Sequence, residues 1–293
     1  MSLVGMRTLV RTGGGGALLR AVARRLRPYR LRGFADLHPD FAGRTGLELG
    51  GPSPVFGPRG SLPVYPLAAR IDNVNFGHRT TWEGEIREGD TFVFRPDADP
   101  GRQFVAEAGS LPFLADAAYD FVLSSHCLEH LANPLAAMAE WVRVLRPGGC
   151  LGLVVPHRDG TFDHRRPVTT LAHLEEDLAR GVDEGDMTHL DEILRLHDLS
   201  RDPGAGDAAS FTARSRDNRA NRCLHHHVFD LRLAIALADR AGLAVLAAEA
   251  FRPFHAAVVA RRPQAGVVPA NAAFLAAGAP HFRRSPFPTD RGR

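Results

Sequence analysis

The residues best suited to chemistry gather at the end of one apolar run. Phe121-Val122-Leu123 gives way to Ser124, Ser125 and His126, with Glu129 and His130 close behind. A run that short and evenly apolar reads as a strand buried on both faces. Ligands of open α/β sheets bind at the carboxyl ends of such strands. Ser125 and His126 are therefore expected on a binding rim. An imidazole there can take a proton from a hydroxyl near neutral pH, so His126 is the expected catalytic base. His130, one helical turn farther on, is expected to cap or pack.

The elements that must position these residues follow directly. Asn133 is a good N-cap and Pro134 suits a first helical position. Leu135, Met138, Val142 and Leu145 recur at helical spacing, and Pro147-Gly148-Gly149 ends the helix. Leu151 to Pro156 reads as a second buried strand, parallel to the first because a helical crossover joins them. Upstream, Leu47-Glu48-Leu49-Gly50-Gly51 places an acid and glycines at a strand end, and Ile71-Asp72 places another acid about twenty residues later. Glu107-Ala108-Gly109-Ser110-Leu111-Pro112-Phe113 follows a third strand.

These segments, with FVLSSHCLEHLANP and EWVRVLRPGG, resemble the class I S-adenosylmethionine-dependent methyltransferases, and most closely the group often called type 11. The resemblance runs from about Arg44 to Pro156 and resumes weakly at Phe229–Arg261. It implies an α/β, doubly wound, mostly parallel Rossmann-like sheet with an antiparallel last strand and a substrate-side insertion. It also implies S-adenosyl-L-methionine as cofactor, held by Glu48, Leu49, Gly50, Gly51, Asp72, Glu107, Ala108 and Ser125. One departure stands out: prolines at 52 and 54 replace the later alternating glycines of the family's first motif. They remove backbone donors and stiffen the loop. The stretch from Tyr65 to Gln103, with Trp82, Phe92 and Phe94, suggests an added hairpin or lid over the cofactor side.

Acceptor selection is expected in the insertion at 157–228, which leaves the same rim. Its first residues include His157, Asp163, His164, Arg165 and Arg166, and it ends in His225-His226-His227. His157, Asp163 and His164 are alternative bases to His126. Arg165, Arg166 and His226 are the expected substrate contacts, since arginine beside His and Asp can hold a carboxylate, phosphate or sugar hydroxyls. The opposing reading is an ion-pair network that ties the insertion to the domain. Phe229 to Ala241 reads as an amphipathic helix, followed by two strands at 243–248 and 256–260.

Composition sets the outer limits. The 293 residues suffice for one full core, divided as a basic, flexible extension at 1–35, the domain at 36–262 and a loosely attached tail at 263–293. From Met1 to Gly33 there are eight arginines and no acid, which allows weak peripheral membrane contact by the N-terminus. No apolar run reaches the length of a membrane span. Three scattered cysteines give neither a disulfide framework nor a cysteine zinc site. A net charge of +3 demands no nucleic-acid partner. The expectation is a cytoplasmic enzyme that O-methylates a small-molecule or glycan acceptor, with no residue assigned to a metal.

Two rivals remain. His126-Cys127-Leu128-Glu129-His130 fits H-x-x-E-H, a zinc hydrolase pattern that needs a helix through the motif and a third ligand. Glu175, Glu176 or a histidine of His225–His227 would supply that ligand, and the His-rich insertion is a second place for a metal. The other rival is a cofactor-binding partner subunit without turnover.

Overall fold

The computed structural model describes residues 29–292. The possible amphipathic stretch at 17–26 and most of the basic extension lie outside the described residues. The strands are β1 (Thr45–Leu49), β2 (Arg70–Asn75), β3 (Arg79–Thr80), β4 (Gly84–Glu85), β5 (Gly89–Phe92), β6 (Gly101–Val105), β7 (Tyr119–Ser125), β8 (Leu145–Pro156), β9 (Ala244–Phe251) and β10 (His255–Arg261). The helices are α1 (Pro134–Val144), α2 (Leu171–Arg180), α3 (Leu190–Leu196), α4 (Ala208–Arg216), α5 (Asn218–Asn221), α6 (Leu231–Arg240), α7 (Ala272–Leu275), α8 (Pro280–Arg284) and α9 (Pro288–Arg291).

The main sheet runs β5-β6-β2-β1-β7-β8-β10-β9, and β3 with β4 forms a separate hairpin. The strands from β6 to β8 are parallel, whereas β10 is antiparallel to both β8 and β9. The doubly wound, mostly parallel sheet with an antiparallel last strand is therefore present. Strand order reverses between β1 and β7, which opens a crevice at their carboxyl ends.

Alternation along the central strands builds two cores. Val122, Leu151, Leu153, Val155 and Val258 face Trp141 and Leu237 of the helical layer. Phe121, Leu123, Val154 and Val259 face Phe34, Phe41 and Phe56, carried by largely non-helical chain before β2. Each such side chain contributes about 1.5–3 kcal/mol on full burial. Gly46 makes room for this packing: a Cβ there would lie 1.9 Å from the Phe121 ring.

The α1 cap forms as expected, with the Asn133 side chain accepting from Ala136 N at 3.1 Å. Leu145 differs. It opens β8 rather than continuing the helix face, because it pairs with Tyr119. The hairpin anticipated after Tyr65 is β3–β4 with Trp82 at its turn, while Phe92 and Phe94 join the second core.

The C-terminal stretch departs from the expected loose tail. Ala279, Phe282 and Phe287 are buried in the first core, and Arg232 lies over the Phe282 ring at 4.0 Å. Asp290 accepts from Leu231 N at 3.2 Å, and Thr289 donates to Asp159 through both its N–H and its hydroxyl. Its proline-alanine-glycine composition concealed two aromatic anchors and a capping acid.

Candidate active site

A cavity of about 630 Å³ lies over the carboxyl ends of β1, β2, β7 and β8. Gly50, Asn75, Glu107, Ala108, Ser125 and His126 form its sheet side. Trp82 covers it from the hairpin, its ring 5.0 Å from His130. Phe162, Arg201, Asp202, Arg214 and Arg222 of the insertion close the far end.

The loop after β1 is stitched from within. Gly50 takes φ 79°, which favours glycine, and its N–H bonds Val74 O at 2.8 Å. Glu48 is fully buried and accepts from Ser53 N at 3.0 Å and Tyr65 hydroxyl at 2.7 Å. Burial pushes its carboxyl up to about 8 against those two bonds, which favour the anion. Glu48 thus holds the proline-rich loop instead of lining the cavity. Leu49 belongs to the core, and Gly51 faces a smaller neighbouring recess.

Asp72 also lies away from the cavity. It accepts from Arg70 Nε and Arg102 N, each at 2.8 Å, and from Tyr119 hydroxyl at 3.0 Å. β2 continues past it, and the polar residue at the strand end is Asn75. Asn75 donates to Gly51 O at 3.1 Å and faces the cavity. Nothing in the run Asp72-Asn73-Val74-Asn75 marks which polar residue ends the strand, so the acid drew the choice. Glu107 and Ala108 do line the cavity. One Glu107 oxygen accepts from Arg222 Nη2, and the other is buried without a partner, as is Ser125 Oγ.

His126 ends β7 in the left-handed region, φ 53°, with its N–H on Val154 O. That conformation is uncommon for a residue with a Cβ and turns the ring out over the rim. Its Nδ1 lies 3.6 Å from Glu129 Oε1 and its Nε2 lies 2.9 Å from His255 Nδ1. Burial would raise the Glu129 carboxyl, but the His126 bond and the His130 and His126 charges hold it below its ordinary value. Burial, with a smaller push from His126, takes His255 down to about 3. His130, brought to about 4 by burial and by His225, bonds Leu224 O at 3.0 Å and also lines the cavity.

The insertion's predicted residues separate from this centre. His157 is fully buried, stacked on Phe287 at 4.1 Å with Nε2 3.2 Å from Asp290. Asp163 pairs with His225 at 2.6 Å and Arg166 at 3.0 Å; despite burial these cations take its carboxyl down to about 2. His164 and Arg165 both meet Asp198 outside the cavity. Arg166 is buried and donates to Glu192, Asp163, His225 O and His226 O, which ties the start of the insertion to its end. His226 packs on Asn218. Of the cavity residues, Asn75, Phe162, Arg201, Asp202, Arg214, Arg222, His225 and His255 were missed. His255, which opens β10, could have been found as a strand-end histidine; the others needed the chain crossing.

The H-x-x-E-H helix does not form. Leu128–His130 is a single 3-10 turn, and His126 is left-handed. Glu129 and His130 do meet His225 closely enough to share a cation, without His126.

Residues 93–153 match the model of a methyltransferase domain family, the type 11 group. Among solved structures, similar ones include a SAM-dependent methyltransferase from Aquifex aeolicus (12% identity over 82% of this chain and 93% of that one, TM-score 0.40). One from Mesorhizobium loti gives 16% identity over 78% and 95%, TM-score 0.45. The 1,6-didemethyltoxoflavin-N1-methyltransferase of Burkholderia thailandensis gives 12% over 90% and 92%, TM-score 0.43. No curated protein sequence matches. The family match covers about a fifth of the chain, from just after β5 into β8, and over that stretch the chain is similar to the class I S-adenosylmethionine-dependent methyltransferases. The cofactor of that class is S-adenosyl-L-methionine. No helix among the described residues is long and apolar enough to cross a membrane.

Proposed function

We propose that the chain transfers the methyl group of S-adenosylmethionine to a hydroxyl of a sugar or similar small polar acceptor. Bound S-adenosylmethionine supplies a methyl group activated on a sulfonium. The cavity suits it: a glycine-lined approach at Gly50, the strand-end amide of Asn75, and buried oxygens of Glu107 and Ser125 that lack partners. Asn75, rather than Asp72, would meet the ribose hydroxyls, with Glu107 and Ala108 toward the base. A neutral amide in that place both donates and accepts.

One observation carries the reading: the Glu129–His126–His255 row at the end of β7. Glu129 faces Nδ1 of His126 at 3.6 Å and His255 faces Nε2 at 2.9 Å, so the imidazole is held between an acid and a second histidine. His255, held neutral by burial, is the partner with which His126 can share a proton taken from the acceptor. Phe162 offers an apolar face at the far end, beside the Arg214–Asp202 pair at 3.3 Å and Arg201. A sugar ring presents that same combination of apolar face and adjacent hydroxyls.

The test is a labelled-methyl transfer screen across sugars, small phenols and carboxylates, with calorimetry of cofactor binding alongside. Transfer to a sugar oxygen is expected, and Asn75→Ala should weaken cofactor binding roughly tenfold while Asp72→Ala should not. Tight cofactor binding with no transfer to any acceptor would favour the partner-subunit reading instead.

A further inference from the structure

Away from the catalytic row, four side chains of the insertion converge at the seam with the main domain. His173 and Asp177 lie one turn apart on α2, and His189 arrives from the following loop. His227 comes from the strap that returns to α6. One nitrogen or oxygen from each lies within 4.8 Å of all the others. The closest approaches are His173 Nε2 to His189 Nε2 at 3.1 Å and His173 Nε2 to Asp177 Oδ2 at 3.2 Å. Four ligands about 2.0–2.1 Å from a tetrahedral zinc stand roughly 3.3 Å apart along each edge.

The unsatisfied atoms point the same way. Asp177 is 1% exposed, yet neither carboxylate oxygen accepts a well-directed hydrogen bond. His227 Nε2 lies 3.0 Å from Ala132 O and must donate to it, which leaves Nδ1 a buried acceptor with no donor. One ring nitrogen fixed by a backbone carbonyl and the other bare is a pattern that orients metal-bound histidines, and His227 Nε2 itself comes within 3.8 Å of Asp177 Oδ2. Left unfilled, these buried lone pairs carry an uncompensated desolvation cost. Arg180 Nη1, 3.9 Å from Asp177 Oδ1, is too far to satisfy it.

We infer that His173, Asp177, His189 and His227 bind a divalent cation of zinc type, which pins the insertion and its returning strap to the domain. Three imidazoles and one carboxylate are a donor set that suits zinc over magnesium or calcium. All four positions are taken by protein, so the site is closed and structural. His225, two residues before His227, lines the cavity, so the cation also fixes one wall of the catalytic pocket.

The full-length chain, stripped with a strong chelator and dialysed, should take up about one zinc per chain, read by mass spectrometry of the metal. Cobalt(II) should bind instead with the visible absorption of a tetrahedral site. His189→Ala and Asp177→Asn should abolish both signals, while Glu129→Gln, at the other histidine group, should retain them. Chelation should lower Tm of the native chain by roughly 5 °C and leave that of His189→Ala unmoved. If a ligand variant fails to fold by circular dichroism, the native titration decides alone. No uptake by the native chain at micromolar zinc overturns the inference. Uptake that survives in folded His189→Ala, or that is lost only in Glu129→Gln, overturns it as well.

Discussion

Histidines cluster twice in this molecule, and the two groups differ in what faces the ring nitrogens. In the cavity, His126 and His255 face each other, with Glu129 behind. At the seam, His173, His189 and His227 surround one carboxylate that nothing else satisfies. The first arrangement leaves room for a proton to move and for a third party to enter. The second is half-buried, with Asp177 and His227 inside and His173 and His189 partly exposed, and it has acceptors in surplus, which calls for a cation. In the two proposals the same side chain serves as a base where a neighbour can share its proton and as a ligand where only lone pairs converge. Around the second group, Arg166 and the docked C-terminus make the insertion a built part of the domain, not a flap.

Variants should fall on the two sides of this contrast. The largest effect is expected from Arg166→Ala on the seam side: it strands Asp163 and two strap carbonyls, and should cost about 3–5 kcal/mol of stability, read as a denaturant midpoint. Loss of turnover without loss of stability in that variant would erase the contrast. Next comes His126→Ala, which should lower kcat by on the order of a hundredfold with cofactor affinity and melting temperature nearly unchanged. If it loses cofactor binding and keeps turnover at saturation, His126 is a pocket wall, and the base lies elsewhere.

The smallest effect concerns Glu48, the buried acid that serves neither group. Its folded pKa, about 8, stands above its ordinary value of 4.5. The folded chain therefore binds more protons than the unfolded one between those values, and stability falls as pH rises through that window. Glu184, raised to about 7 by burial, acts in the same direction. Glu48→Gln should flatten the decline in Tm between pH 5 and 8 while changing Tm little at pH 5. An unaltered slope would show that Glu48 titrates normally.

Much of the frame was readable from residue types alone. The β7–α1–β8 unit follows from an even apolar run, an Asn-Pro start and a Pro-Gly-Gly stop, because strand, cap and breaker preferences act over a few residues. The lid hairpin follows from the same local rules, whereas the antiparallel sense of the closing pair came from the family resemblance. Ser125 and His126 could be placed on the cavity wall because a strand end fixes them there, and Gly50, Glu107 and Ala108 through the family resemblance.

What the tertiary structure decided is every pairing across distance. Whether Asp72 or Asn75 meets the cavity depends on how far β2 runs past Arg102 and Tyr119, which already occupy the acid. His157 looked available at a strand end until Phe287 and Asp290, over a hundred residues later, were packed against it. Arg166 reads as a substrate clamp in sequence and becomes a structural one once Asp163, Glu192 and the strap surround it. His173, His189 and His227 carry no spacing that names a metal, since their ligand geometry arises only where helix, loop and strap cross. Local preference sets the elements; only packing decides which polar groups are satisfied by the protein and which are left for a ligand.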